Sequence, residues 1–479
     1  MNRLCSIKGV CLLLLFCVPG AFAQSGSSDR VIEEIIVTAT KREVPLTDLA
    51  MSVDVLTGDQ LTEAGMFRLE DYWRTVPSLA VRDGPFGGNR ITIRGLTDSD
   101  SFQSTESLNA FYIDDTPITY VTGLFSSAGE PTLVDVERVE VLRGPQGTLV
   151  GANAMGGAIR VITRDPDPAG VQSSLDAQLS TTAHGDMGYR ISAVHNQPMA
   201  ETNSALRIAA YYHHEAGFID DIGFAQSDIN DQDTAGLRLS FSARLGKDID
   251  VLARVQAENR EVGGYDYRDP VGKPEVGLAT RGGYQVALLV DEEWEEDLVL
   301  ASLRVTWRSP WGEFVSATSW FDKETDGLFD WSPEFNEFVG FFYPIEGSFN
   351  RRQEDFVQEF RLLGSTGKVE WLVGAFYLDQ EARFDDQLVA QGLNATCGNC
   401  LPFVGPDELL LDFDSRIDRQ DKAVFGELDW QFADAWTATL GARWYDIEQS
   451  QDTVGFFAFD PLDSRTGGGA DDLVGKGSL

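Results

Sequence analysis

The residues with the greatest chemical potential are few and do not converge. Cys397 and Cys400 stand in the run Thr396, Cys397, Gly398, Asn399, Cys400. A C-x-x-C pair serves as half a zinc site, a redox dithiol or a small structural disulfide. Cys5, Cys11 and Cys17 belong to an N-terminal leader, and His184, His195, His213 and His214 are distant in sequence. With no second Cys pair to complete a zinc site, the spacing favours a loop disulfide in an oxidising compartment. His213 and His214 are adjacent, so on a strand they point to opposite faces and make a poor ligand set. No G-x-S-x-G elbow and no Ser/His/acid set emerges. The run from Gly469 to Lys476 has one residue too many for a phosphate-binding loop, and Gly477 follows where Ser or Thr is needed. The expectation is a protein without catalytic residues, resident metal or cofactor.

Composition narrows the partners. Across 479 residues, 76 acidic side chains face 38 basic ones, a formal net charge of −38. That excludes a sequence-independent grip on nucleic acid, which needs clustered cations to neutralise phosphates. Aromatic residues make up 11% of the chain, far too much apolar surface for a solvated coil. Arg3 and Lys8, the apolar run Val10 to Val18, and Ala21-Phe22-Ala23 predict a secretory signal peptide over residues 1–23.

The elements that position these residues fall into two textures. After a polar leader, Glu33 to Ala39 reads as a short extended run. Gln60 to Ala64 and Phe67 to Trp73 read as short helices stopped by Gly65 and Pro77, and Ile91–Ile93, Phe111–Ile113 and Val134–Leu142 read as strands. Residues 48–168 thus predict a compact α/β domain. From about Val171 apolar and polar residues alternate, as in Leu237, Leu239, Phe241, Ala243 and Leu245 against Arg238, Ser240, Ser242 and Arg244. Eleven strand starts are expected, and after the first hairpin steps of 14 to 17 residues alternate with steps of 31 to 51. Short turns at one end and long loops at the other predict an antiparallel transmembrane β-barrel, because a soluble sandwich has no reason to sort its loops by face. If the first domain feeds the chain in from the periplasm, the loop with Cys397 and Cys400 faces outside.

These residues resemble one family, the TonB-dependent outer-membrane receptors. Glu33, Glu34, Ile35, Ile36, Val37, Thr38 and Ala39 resemble the TonB box, although they also suit the first strand of the domain that follows. Ile91-Thr92-Ile93-Arg94-Gly95 resembles the central plug motif. The run from Val139 through Arg143-Gly144-Pro145-Gln146-Gly147 to Leu149, followed by Gly156-Gly157-Ala158-Ile159-Arg160, resembles the plug's closing signature.

The resemblance implies a fold, an N-terminal α/β plug domain inside the barrel, and an organisation of signal peptide 1–23, leader with box 24–47, plug 48–168 and barrel 171–479. It implies that Arg94 and Arg143 dock on barrel glutamates, and that Gly95, Gly144, Gly147, Gly156 and Gly157 shape plug turns. It implies an outer-membrane location in contact with lipid, and TonB of the inner-membrane energy-transducing complex as partner. The function implied is energy-coupled uptake of a large scarce nutrient, a ferric siderophore or other iron complex. The alternatives are a glycan or cobalamin importer on the same scaffold, or a passive porin. A barrel of about 22 strands needs roughly 550 residues, so the sequence is expected to hold the plug and about half the barrel, 11 of 22 strands. The plug apex from Arg82 to Gly88 and the aromatic loop Leu328–Tyr343 are expected to meet the ligand.

Overall fold

The computed structural model describes residues 35–38, 40–42, 44–49, 51–83, 89–97, 105–118, 121–122, 132–151, 153–199, 201–265, 272–273, 278–280, 282–332, 343–397, 407–434, 436–457, 460–461 and 463–478. The signal peptide, Glu33, Glu34, Ala39, Cys400, Asn336 and the apex from Gly84 to Gly88 lie outside them. So do Phe335, Phe338, Phe341 and Phe342.

The first domain is built on one mixed sheet. A short hairpin, β1 (Ile36–Val37) with β2 (Val44–Pro45), precedes β3 (Val53–Thr57). Helix α1 (Gly58–Glu63) starts at Thr57, whose hydroxyl accepts from the Gln60 N–H while the Gln60 side chain accepts from the Thr57 N–H. This reciprocal box satisfies two otherwise orphaned donors. Helix α2 (Leu69–Tyr72) gives way to a single 3₁₀ turn over Trp73–Thr75, ahead of Pro77. Then come β4 (Leu79–Asp83), β5 (Asn89–Ile93) and β6 (Leu96–Thr97) as a small sheet, followed by β7 (Asn109–Ile113), β8 (Thr116–Pro117), β9 (Val136–Arg143) and β10 (Gly157–Thr163). The main sheet runs β3-β9-β10-β7-β8, with β10 parallel to β7 and the other pairs antiparallel.

The wall follows as a 13-stranded sheet. Its long strands are β11 (Gln172–Thr181), β12 (Met187–Met199), β13 (Ser204–Glu215), β14 (Gln232–Leu245), β15 (Ile249–Val262) and β16 (Glu293–Ser309). They continue as β17 (Gly312–Asp330), β18 (Glu346–Thr366), β19 (Val369–Val389), β20 (Leu409–Ala433), β21 (Trp436–Phe457) and β22 (Ser464–Ser478). Each pairs antiparallel with its sequence neighbour, and the two-residue strand Asp460–Pro461 adds to β21. Among the described residues β11 and β22 are each bonded on one side only.

The eleven expected strands are present, and β22 is a twelfth, in which Gly467, Gly468 and Gly469 interrupt the alternation. The later strands also greatly exceed the length that crosses lipid: β11 has 10 residues but β20 has 25. Their outer halves carry polar residues on both faces, so apolar alternation marks only the lower part.

Burial is inverted relative to a water-soluble sheet. On β14, Leu237, Leu239 and Phe241 are exposed on the outer face, whereas Arg238 and Ser240 are buried. Exposed apolar residues continue through Leu303 and Trp307, Phe356 and Phe360, and Val424, Leu428 and Trp430. This is the outward apolar band of a membrane barrel. Among the described residues no helix is long and apolar enough to cross a membrane. Inside, the plug's Leu61, Tyr72, Val139 and Ile159 share a core with Leu298, Leu300 and Phe321 of the wall.

The face assignment gives a direct prediction. Lys247 lies in the three-residue turn between β14 and β15, and Gln226 lies in the longer connection between β13 and β14. In intact cells an impermeant thiol reagent should label a cysteine at Gln226 and leave one at Lys247 unlabelled until the membrane is opened. Equal labelling at both sites would overturn the orientation.

Candidate functional site

The leader's extended segment ends in a buried charge cluster on the plug. Ile36 and Val37 pair with Pro45 and Val44, and the Leu46 N–H closes the hairpin on the Ile35 carbonyl at 2.8 Å. Val37 is fully buried, while Ile36 is 39% exposed. The next residue, Thr38, donates its N–H to Glu140 Oε1 at 2.9 Å, and its hydroxyl receives Arg160 Nη1 at 3.0 Å and Arg138 Nη2 at 3.2 Å. Glu140 has no solvent exposure and lies between Arg138 at 2.8 Å and Arg160 at 3.1 Å. A carboxylate deep in an apolar sheet is tolerable because two guanidiniums and an N–H saturate it. The segment resembling the TonB box is therefore one strand of a closed hairpin, clipped to the plug, and not a free-standing extended run.

Two cations just beyond the box reach the wall. Lys41 bonds Glu359 of β18 and lies 4.8 Å above the Phe425 ring, while Arg42 pairs with Asp429 of β20. Burial pushes the Lys41 ammonium down, Glu359 pulls it back, and Arg361 and Arg443 push it down again, leaving it at about 8. Released into water it regains its ordinary value near 10.5. Between these values the docked form binds fewer protons than the released form, so rising pH favours docking, and below 8 this group contributes no pH dependence. A cysteine at Val37 should accordingly label more slowly as pH rises from 8 to 10, after correction for thiol ionisation, by at most roughly tenfold per pH unit. In Lys41→Met that slope should vanish.

The plug body meets the wall with the opposite polarity. Asp135 receives Arg207 at 2.5 Å and Arg238 at 3.5 Å. Asp114 receives Arg254 at 2.9 Å, and Asp115 receives Arg361 at 3.0 Å and Arg304 at 3.4 Å. Asp165 is shared by Arg254 and Arg304. Burial alone would raise the Asp115 carboxyl, but Arg361, Arg304 and Arg160 outweigh it and hold Asp115 well below the usual carboxylate range. Asp114, Asp115, Arg254 and Arg304 also line a cavity of about 20 Å³, room for a single water and no ligand.

Arg94 and Arg143 take other positions. Arg143 pairs with Asp54 of the plug itself at 3.0 Å. Arg94 adopts φ 53°, and its guanidinium lies so close to Gly144 that a Cβ there would sit 2.8 Å from Nη1. Gly144 has φ +96°, so both backbone conformation and space require glycine. Gly95 also has a positive φ. Gly157 opens β10, and a Cβ on it would meet the Leu142 carbonyl at 2.2 Å; Gly156 is similarly crowded by Asn109. A Cβ on Gly147 would make ordinary van der Waals contact with Val474 of β22, at 3.6 Å. Cys397 ends a short helix, Leu393–Cys397, on the connection between β19 and β20.

His213 and His214 do diverge. His213 turns inward, its ring 4.8 Å from Phe67 of the plug, and His214 turns outward, with Nδ1 2.9 Å from Asp233. His214, Asp231 and Asp233 bring ligand atoms within 4.8 Å of one another. The His214–Asp233 hydrogen bond explains this grouping by itself.

Sequence reasoning missed Glu140 and the four plug aspartates. The available signal for Glu140 was a charge between Val139 and Val141, two residues from Arg138 on the same strand face. The aspartates gave none, since acidic turns are common and their wall partners are distant in sequence.

Comparison with known proteins agrees with this architecture. A family described as "TonB-dependent Receptor Plug Domain" matches residues 45–158, and one described as "TonB dependent receptor-like, beta-barrel" matches residues 213–472. The chain is 30% identical over 149 residues to the pesticin receptor of Yersinia pestis, a match covering 31% of this chain and 21% of that protein. It is 30% identical over 161 residues to the vitamin B12 transporter BtuB of Vibrio vulnificus, covering 31% of this chain and 25% of that one. The fold is similar to the ferric yersiniabactin uptake receptor FyuA from Yersinia pestis, with TM-score 0.73, 17% identity, and coverage of 89% of this chain and 61% of that one. It is also similar to the ferripyoverdine receptor of Pseudomonas aeruginosa bound to ferripyoverdine, with TM-score 0.67, 15% identity, and coverage of 92% and 56%. The matches thus span less than two thirds of these relatives. Plug, inverted wall and family matches coincide, and the chain belongs to the TonB-dependent receptors of the cell outer membrane.

Proposed function

We propose that this protein is the receptor for energy-coupled uptake of a large scarce nutrient across the outer membrane, with an iron complex such as a ferric siderophore as ligand. The observation that carries the reading is the position of the box: a β-prone segment at the head of the plug, held by a few polar contacts and followed directly by the domain that fills the wall. A strand of this kind suits pairing with a partner's edge, since backbone hydrogen bonds need only an extended segment that can be freed. TonB is the partner this chemistry implies, and the work it transmits would displace the plug. Arg94 and Arg143 serve as plug-stabilising residues in this reading, and Cys397 and Cys400 as a loop disulfide on the outer side. No group is assigned to covalent chemistry.

The iron class is supported by relatives named pesticin, hemin and ferripyoverdine receptors. A second reading, cobalamin uptake, is supported by the similarity to a vitamin B12 transporter. Growth of a gene-deleted strain and its complemented parent on single ferric siderophores, heme, glycans and cobalamin tests both. Growth loss confined to one iron source supports the first reading. Loss only where cobalamin is required supports the second, and unchanged growth on all of them overturns both.

A further inference from the structure

The plug is held to the described wall by two sets of ionic contacts that differ in their place along the chain. The downstream set is mostly anionic on the plug side: Asp114, Asp115, Asp135 and Asp165 grip arginines spread over β13, β14, β15, β16 and β18, and Arg68 adds a contact with Glu215 of β13. The upstream set is cationic on the plug side, Lys41 on β18 and Arg42 on β20; the two sets touch where Glu359, the Lys41 partner, also meets Arg361 at 3.4 Å. Beside this upstream set Leu149 packs with Leu372 and Phe425, Gly147 lies at van der Waals distance from Val474, and Gly151 abuts the Arg443 guanidinium.

Load applied at the box travels along the chain. Thr38 is three residues from Lys41, about 10 Å of extended backbone, so Lys41–Glu359 and Arg42–Asp429 carry it before any other ionic contact between plug and wall. The aspartates lie far downstream, and force reaches them only through the main sheet. There β3 is the edge strand, paired with β9 alone, and can peel without opening the β9-β10-β7 pairs. The Asp–Arg contacts are also multiply shared, since Arg254 and Arg304 each bind two aspartates. Breaking one leaves buried charges that the neighbours still hold.

Building on the uptake reading, we propose that Lys41 and Arg42 form the first plug-to-wall contact that a pull on the box must break once the Thr38 clip has opened, and that the aspartate–arginine set is a hinge that keeps the plug attached to β13–β18 while a passage opens beside β19–β22.

Two experiments test this, and only the second depends on uptake. In the first, the reconstituted full protein is pulled by a handle ahead of Ile35. The force of the first plug-to-wall rupture, which follows opening of the Thr38 clip, should fall in Lys41→Ala/Arg42→Ala and stay unchanged in Asp114→Asn/Asp135→Asn, which should instead lower a later step. A first plug-to-wall step weakened by the aspartate variant, or release of the whole plug in one step from the parent, would overturn the hinge. In the second, cells carry the receptor with Cys397→Ser and Cys400→Ser. A disulfide between Gly147→Cys and Val474→Cys should cut uptake at least tenfold, reversed by reductant, with ligand binding retained. A short bis-thiol bridge between Val134→Cys and Ala209→Cys, an apolar plug–wall pair on the hinge side that leaves every aspartate and arginine in place, should leave uptake within twofold. The reverse pattern would refute the proposal. Should the unbridged receptor show no protonophore-sensitive uptake, the parent reading fails, and the order of rupture steps alone upholds or overturns the hinge.

Discussion

Ile36→Pro should abolish the proposed energy-coupled uptake while ligand binding at the cell surface persists. Ile36 is the partly exposed residue of β1, and its partner on the plug is Pro45, which lacks an N–H. Proline at Ile36 deletes a backbone donor and fixes φ near −65°, outside the extended range of a paired strand. Losing a ladder hydrogen bond and the strand geometry together weakens pairing, and each 1.4 kcal/mol lost lowers it about tenfold. Ile36→Ala separates backbone from side chain, since it keeps the donor and should retain most uptake. The measurement is accumulation of labelled ligand with and without a protonophore, beside equilibrium binding to whole cells. Full accumulation by the proline variant would remove the box assignment.

Glu140→Ala should destabilise the plug by about 3–5 kcal/mol, the cost of breaking a buried ion cluster by deleting one partner. Arg138 and Arg160 would face each other across an apolar sheet without their shared anion, and the Thr38 N–H would lose its acceptor. Two readouts should move together: hydrogen exchange of the β9 and β10 amides should accelerate, and a cysteine at Val37 should become reactive. Glu140→Gln keeps an acceptor and most of the volume, so its effect should be smaller. Protection of β9 and β10 unchanged in Glu140→Ala would mean that the cluster contributes little, as occurs when relaxation admits water to both guanidiniums.

Much of the fold was legible because it follows from local rules. Thr57 and Gln60 announce α1 by a capping pair, and the Leu237–Leu245 alternation announces a wall strand whose polar side turns inward. Strand β22 was less legible for the converse reason, because glycine carries no face. Within the candidate site the box could be read from its β-prone run, but its closure into a hairpin could not. That depends on Glu140, about 100 residues away, and on Pro45 accepting the role of strand partner. The docking aspartates were hidden because each acquires meaning only from arginines on wall strands whose height and register no local pattern fixes. Arg143 shows the limit of reasoning by resemblance, since in this structure Asp54 of its own domain takes the ion pair.

The uneven length of the wall strands bears on how a solute reaches the plug. At about 3.3 Å per residue and a tilt near 40°, β20 with its 25 residues climbs about 38 Å further than β11 with its 10. The rim formed by these strands is therefore slanted, low over β11–β13 and high over β18–β21. In the proposed uptake reading, a bulky complex arriving over the low lip would meet the plug before a wall, and the tall side would act as a backstop. Changes to the rim should thus alter the rate of capture according to which side they touch, even where the residues that finally hold the ligand are untouched.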